Sequence, residues 1–177
     1  MLKTILIVFA AIVVAVIALV IFASTKPDTF HVERSATIAA PPEKIAPLIN
    51  DFHQWQAWSP YEKLDPGMSR TIGGSPSGQG ATYDWSGNGK AGAGHMEIVE
   101  SSAEKIVIKL DFSKPFEAHN IATFTLAPAA GGTTVTWAMD GPVPLVAKVM
   151  GVFFSMDEVI GKDFAVGLEN LKGIAEK

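Results

Sequence analysis

Residues 132–177 read GTTVTWAMDGPVPLVAKVMGVFFSMDEVIGKDFAVGLENLKGIAEK, and the period of their apolar positions changes once. From 132 to 140 the period is two. Val135, Trp137 and Met139 share one face and Thr134, Thr136 and Asp140 the other, the pattern of a half-buried strand. After Gly141-Pro142 it becomes three to four, through Leu145, Val149, Val152 or Phe153, Met156, Ile160, Phe164, Leu168, Leu171 and Ala175. Lys148, Asp157, Glu158, Lys162, Asp163, Glu169 and Lys172 take the opposite side, so a long amphipathic helix follows the strand. Gly151, Gly161, Gly167 and Gly173 interrupt it, each at a cost of ~1 kcal/mol relative to alanine in a helix interior. They predict a break near Gly151 or a close approach of the helix to a sheet.

Upstream, from Ser69, short alternating runs separated by glycine-rich turns predict an antiparallel meander, with strands near 69–73, 80–86, 91–101, 104–112, 116–127 and 132–140. Ile106, Ile108, Leu110 and Phe112 share a face, and Met96, Ile98, Phe124 and Leu126, with small residues between them, extend it. Before the meander, Phe30–Ala39 alternates as a first strand, and Ala40-Pro41-Pro42-Glu43 opens a helix carrying Ile45, Leu48 and Ile49. A second short helix holds Trp55 and Trp58 and stops at Pro60. The order strand, two helices, six strands, long helix predicts an α+β fold in which a curved seven-stranded antiparallel sheet wraps a C-terminal helix. Large apolar residues would line a gap between the two.

The chain has 177 residues, 48 % hydrophobic and 18 % charged, and the apolar excess is concentrated at the start. Thr4–Thr25, TILIVFAAIVVAVIALVIFAST, carries no charge and is flanked by Lys3 and Lys26. Its 22 residues span ~33 Å as a helix, against ~30 Å of hydrocarbon in a bilayer. A cleaved secretory signal has a shorter apolar run, and Phe22-Ala23-Ser24 is a poor small-x-small site, so an uncleaved single-pass anchor is the expectation. Residues 1–25 are thus assigned to the anchor, 26–29 (KPDT) to a linker and 30–177 to one domain. Basic residues are nearly balanced across the segment, and Lys3 tips the orientation toward an extracytoplasmic, periplasmic domain. Without the segment, 13 basic and 18 acidic residues remain, net −5, which argues against nucleic acid as a partner. The chain has no cysteine, so disulfides, thiol catalysis and cysteine-ligated metals are excluded.

The residues themselves resemble a known family. Val32-x-x-Ser35-x-x-Ile38-x-Ala40-Pro41 leading into a helix, Trp55-x-x-Trp58-Ser59-Pro60, Asp65-Pro66, Gly131-Gly132-Thr133-x-Val135-x-Trp137 and Gly161-Lys162-Asp163-Phe164-x-x-Gly167-Leu168-x-x-Leu171-Lys172 together resemble the START-like, or SRPBCC, superfamily. Within it the chain is similar to the polyketide cyclase/dehydrase and lipid transport type, from about Phe30 to Lys177. The resemblance implies the helix-grip (START/Bet v 1-like) fold and a cavity for a hydrophobic ligand. It brings no catalytic constellation, and the N-terminal anchor departs from the soluble majority of members.

Strand alternation and helix phase point Trp85, Met96, Trp137, Met139, Phe153 and Phe164 inward as candidate ligand-binding residues, with Asn120 as a polar group among them. Trp58, with Trp55, either gates a cavity mouth or docks its helix on the sheet. Core packing and ligand contact predict the same pattern at these positions. His31, His53, His95 and His119 have no partner at metal-ligand spacing, and no metal or cofactor is expected. His119 with Glu117, or His95 with Glu97, would make a general acid–base dyad if either pair faced inward, but the apolar neighbours claim that side. Gly87-Asn88-Gly89-Lys90-Ala91-Gly92 matches a dinucleotide fingerprint in letters only. It joins two predicted strands, where Gly-Asn-Gly suits a hairpin with positive φ at its centre. The expected function is a membrane-tethered binding module for a hydrophobic small molecule or lipid. The alternatives are a cyclase or dehydratase using a His–carboxylate pair and a non-catalytic protein-interaction factor, although no motif names a protein partner.

Overall fold

The computed structural model describes residues 1–177. A helix α1 (Leu2–Ser24) leads into strand β1 (Thr29–Ile38), helix α2 (Pro42–Asn50) and a short helix α3 (Trp55–Trp58) between two 3-10 turns. Strands β2 (Ser69–Gly74), β3 (Ala81–Ser86), β4 (Ala93–Ser101), β5 (Lys105–Lys114), β6 (Ala118–Ala129) and β7 (Gly132–Pro142) follow. The chain ends in α4 (Leu145–Met150) and α5 (Met156–Ala175). All seven strands form one antiparallel sheet in the order β1-β7-β6-β5-β4-β3-β2, so the first strand closes onto the last. This is the α+β helix-grip arrangement.

Each of the strands expected from alternation is present, shifted by a residue or two at its ends. The predicted second helix is shorter than expected. Asp51 caps a 3-10 turn by accepting from the His53 amide, Pro60 opens another, and only Trp55–Trp58 is α-helical. The long terminal helix breaks at Gly151, as the glycine there predicts, and resumes at Met156. Ser155 caps the new helix by accepting from the Glu158 amide, and Asp157 and Glu158 favour its first turn. Gly161 and Gly167 mark the close approaches. A Cβ on Gly161 would stand 2.1 Å from Arg34 Nη2, and one on Gly167 would stand 2.7 Å from the Trp137 ring. The Gly87–Gly92 hairpin differs from expectation. Its one left-handed residue is Gly92 (φ 65°), because Asn88 Oδ1 accepts from the Lys90 and Ala91 amides and closes the turn without a positive φ at its centre.

The sheet has two ends. β1 runs up from the end of α1 with Thr29 opposite Pro142, so the start of β1, the end of β7, the start of β6 and the end of β5 lie together beside α1. This is the proximal end. At the distal end α2 and α3 cover the inner face, and α5 runs along β1 from Asp157, which pairs with Arg34, to Glu176, whose Oε1 accepts from the Ala39 amide at 2.7 Å. α1 is long and apolar enough to cross a membrane, and Ala23 is its one buried residue.

Candidate functional site

One contiguous core of 26 buried residues joins the inner sheet face to α2, α3 and α5. Its middle is aromatic. Trp137 is stacked between Phe124 (ring centroids 4.9 Å apart) and Phe164 (4.1 Å), and Trp58 meets it edge-on at 5.5 Å. Trp55 and Trp58 dock rather than gate, since both are buried and their indole N–H groups donate to the Ile49 and Leu48 carbonyls at 2.8 Å. The gap expected between sheet and helix is therefore filled at this level by Trp58, Trp137 and Phe164, which pack like any core. Trp137 Nε1 and Ser59 Oγ are buried here without a hydrogen-bond partner.

Toward the proximal end the packing loosens on every strand from β3 to β7. Along β6 the inward residues go from 0 % exposed at Phe124 through 5 % at Ala122 to 7 % at Asn120, and along β7 from 0 % at Val135 through 3 % at Trp137 to 7 % at Met139. On β5, Ile106 and Ile108 are fully buried, whereas Leu110 and Phe112 are partly exposed. Met96 on β4 and Trp85 on β3 are likewise the more accessible inward residues of their strands. α5 follows the same course. Leu171, Leu168 and Phe164 are sealed, Ile160 is partly exposed and Met156 is open. The inner face is thus least tightly covered between the sheet and the start of α5, on the side of α1, where Met96, Asn120 and Met139 keep 7–8 % of their surface exposed.

Of the candidate residues, Trp85, Met96, Asn120 and Met139 come together at this end of the inner face. Met96 lies opposite Leu110, Leu110 opposite Asn120, and Ala122 opposite Met139. The Trp85 ring meets Phe112 edge-on at 5.4 Å and its N–H donates to the Ala91 carbonyl at 3.0 Å. Gly94 makes room for that ring, since a Cβ there would stand 2.4 Å from it. Leu110 and Phe112 belong to the same wall; their alternation showed which side they face but not how deep they lie. Phe153 is a correction. It is 67 % exposed, because the helical phase that pointed it inward stops at Met150 and residues 151–155 form a turn.

His31, His95 and His119 stand on the other face of the sheet. His95 Nδ1 bonds Asp84 Oδ1 at 2.8 Å and His119 Nδ1 bonds Asp111 Oδ1 at 2.6 Å, each across the ladder rather than with the glutamate two residues away. Asp84, His95, Asp111 and His119 are directly opposite one another on successive strands and floor an open concavity of about 320 Å3 with Glu117 at its side. His31 pairs with Asp140 in the same way at 2.7 Å, which holds its imidazole above the ordinary range. No group of three or more such side chains is placed to hold a metal ion. A second polar cluster escaped the sequence reading. Glu62 is buried, accepts from Arg70 Nε and Tyr83 Oη at 2.6 Å each, and ties the second 3-10 turn to β2 and β3. Burial and then the Glu62 contact push the Tyr83 hydroxyl well up.

The sequence from 29 to 176 matches the family model described as polyketide cyclase / dehydrase and lipid transport. The chain belongs to this family. Among curated proteins none matches it. Solved structures share the fold. A Thermobifida fusca protein is 24 % identical over 82 % of this chain and 92 % of its own, with a TM-score of 0.61. Protein CV1439 from Chromobacterium violaceum is 18 % identical over 86 % and 99 %, with a TM-score of 0.58. The di-domain ARO/CYC BexL of the BE-7585A biosynthetic pathway is 15 % identical over 89 % of this chain and 53 % of its own, with a TM-score of 0.60.

Proposed function

We propose that the chain is a membrane-tethered module that binds a hydrophobic small molecule or lipid at the proximal opening of its core. The single observation behind this reading is the graded exposure of the inner face, which rises toward the same end on five strands and on α5. A ligand lying there would cover Leu110, Phe112, Met96 and Met139, each contributing about 25 cal/mol per Å2 of apolar area removed from water. Asn120 would meet the polar group of such a ligand. Its family supports an apolar ligand, and α1, charged only at Lys3, supports an anchor with the domain on the extracytoplasmic side. A cyclase or dehydratase using His95 or His119 draws no support from the geometry, because both rings lie on the face opposite the opening.

Native mass spectrometry of the full chain, released from detergent after purification from its source, tests the proposal. The expected result is a mass excess that organic solvent removes, and that Leu110→Asp abolishes while circular dichroism is unchanged. A chain that stays empty and takes up no fluorescent fatty acid, or a Leu110→Asp chain that binds as before, contradicts it.

A further inference from the structure

We infer that the apolar segment from Leu145 to Val159 rests in the surface of the bilayer that α1 spans, so that the opening of the core faces lipid. The inference deepens the proposed function and rests on its membrane-anchored α1. C-terminal to α1, eleven large hydrophobic side chains are exposed, and seven of them fall between Leu145 and Val159. Phe116 adds an eighth, at the tip of the β5–β6 hairpin on the same end of the sheet. Val146, Phe153, Phe154 and Phe116 are each at least 66 % exposed. A patch of such residues on a water-soluble surface marks an interaction site.

The occupant follows from where the patch is held. α4 packs against the end of α1. Lys148 Nζ donates to the Lys26 carbonyl at 2.8 Å and pairs with Asp28 Oδ1 at 2.5 Å, while the Val143 amide donates to the Asp28 carbonyl at 2.7 Å. α4 is thus clamped to the chain within four residues of Ser24, where α1 ends. At 1.5 Å per residue the 23 residues of α1 reach ~34 Å, about the thickness of the hydrocarbon, so the clamp sits at the membrane surface. Charge agrees with this placement. The 16 residues from Gly141 to Met156 carry one charge, Lys148, and it is buried in the clamp. Asp157 and Glu158 follow in the first turn of α5; Asp157 is held by Arg34 at 2.8 Å and Glu158 is exposed. Phe153 and Phe154 follow Gly151, where the helix breaks, and can seat at the lipid surface without moving α5.

The absence of cysteine makes the test direct. Single substitutions Val146→Cys, Phe153→Cys, Phe154→Cys and Phe116→Cys in the full chain are labelled with bimane and reconstituted into phosphatidylcholine–phosphatidylglycerol vesicles. Val14→Cys in α1 and Ala130→Cys at the distal turn serve as references. Labels at the four rim positions are expected to be quenched by brominated lipid as at Val14 and shielded from aqueous iodide, with the reverse at Ala130. If Val14 is quenched but the rim labels are open to iodide, the anchor stands and this inference fails. Rim labels shielded from iodide yet untouched by brominated lipid identify a covering protein and also overturn it. An unquenched Val14 removes the anchor, and the inference with it.

Discussion

Asp163 lies on α5 close to Tyr61 of the second 3-10 turn, and the two ionisations oppose each other. Burial holds the Asp163 carboxyl above its ordinary range, against the pull of Lys162, and its charge adds to the burial that raises the Tyr61 hydroxyl. A carboxyl whose folded pKa is raised binds its proton more readily in the folded chain. Its ionised form therefore costs stability at neutral pH, and the cost fades as pH falls through the folded value toward the unfolded one, near 3.9. Asp163→Asn is expected to raise Tm at pH 7 and to leave it unchanged in acid, by paired melts across that range. Position along the helix showed that Asp163 is polar-facing but not that Tyr61 lies beside it. Lys148 is the sharper case. It stands on the charged side of the predicted helix yet is buried, because the Lys26 carbonyl and Asp28, more than a hundred residues away in sequence, supply its partners. Glu62 hides for the same reason, since Arg70 and Tyr83 reach it from two other elements.

At the scale of elements, the glycines of α5 separate into two kinds. Gly167 lies against the Trp137 ring and 3.1 Å, measured from an added Cβ, from Pro60 Cδ, whereas Gly173 has nothing within 4 Å and is exposed. Gly173→Ala is expected to stabilise the chain by about 0.4–1 kcal/mol by narrowing the unfolded ensemble. Gly167→Ala is expected to destabilise it by roughly 1–3 kcal/mol, as overpacking does, because ring and proline must both give way. Chemical denaturation of the two variants checks both signs. The three glycines of α5 were equivalent to a reader of the sequence, and only their neighbours distinguish them. Strands β2–β7 were legible because alternation and glycine turns are local signals. The α3 region was less so: its aromatic content is set by docking onto Phe124 and Trp137, while its backbone is divided by the Asp51 cap and Pro60.

At the scale of the molecule, alternation told which side chains face inward but carried no information on depth. Trp58, Trp137 and Phe164 share the inward sense of Met96 and Met139, yet they are sealed to 3 % exposure or less while the two methionines keep 7–8 %. The difference arises from where α2, α3 and α5 lie over the sheet, a property of the assembled fold. The central claim is that an apolar ligand enters at the proximal end and stops at the aromatic plug. Methyl NMR of the full chain in nanodiscs, with isoleucine, leucine and methionine labelled, tests this when spin-labelled stearate is added. The account predicts that Leu110, Met96 and Met139 broaden together while Ile106, Ile98 and Leu126 at the distal end and Ile121 on the outer face stay sharp. Sharp signals from Leu110, Met96 and Met139 at saturating stearate, or broadening shared equally with Ile121, would contradict it.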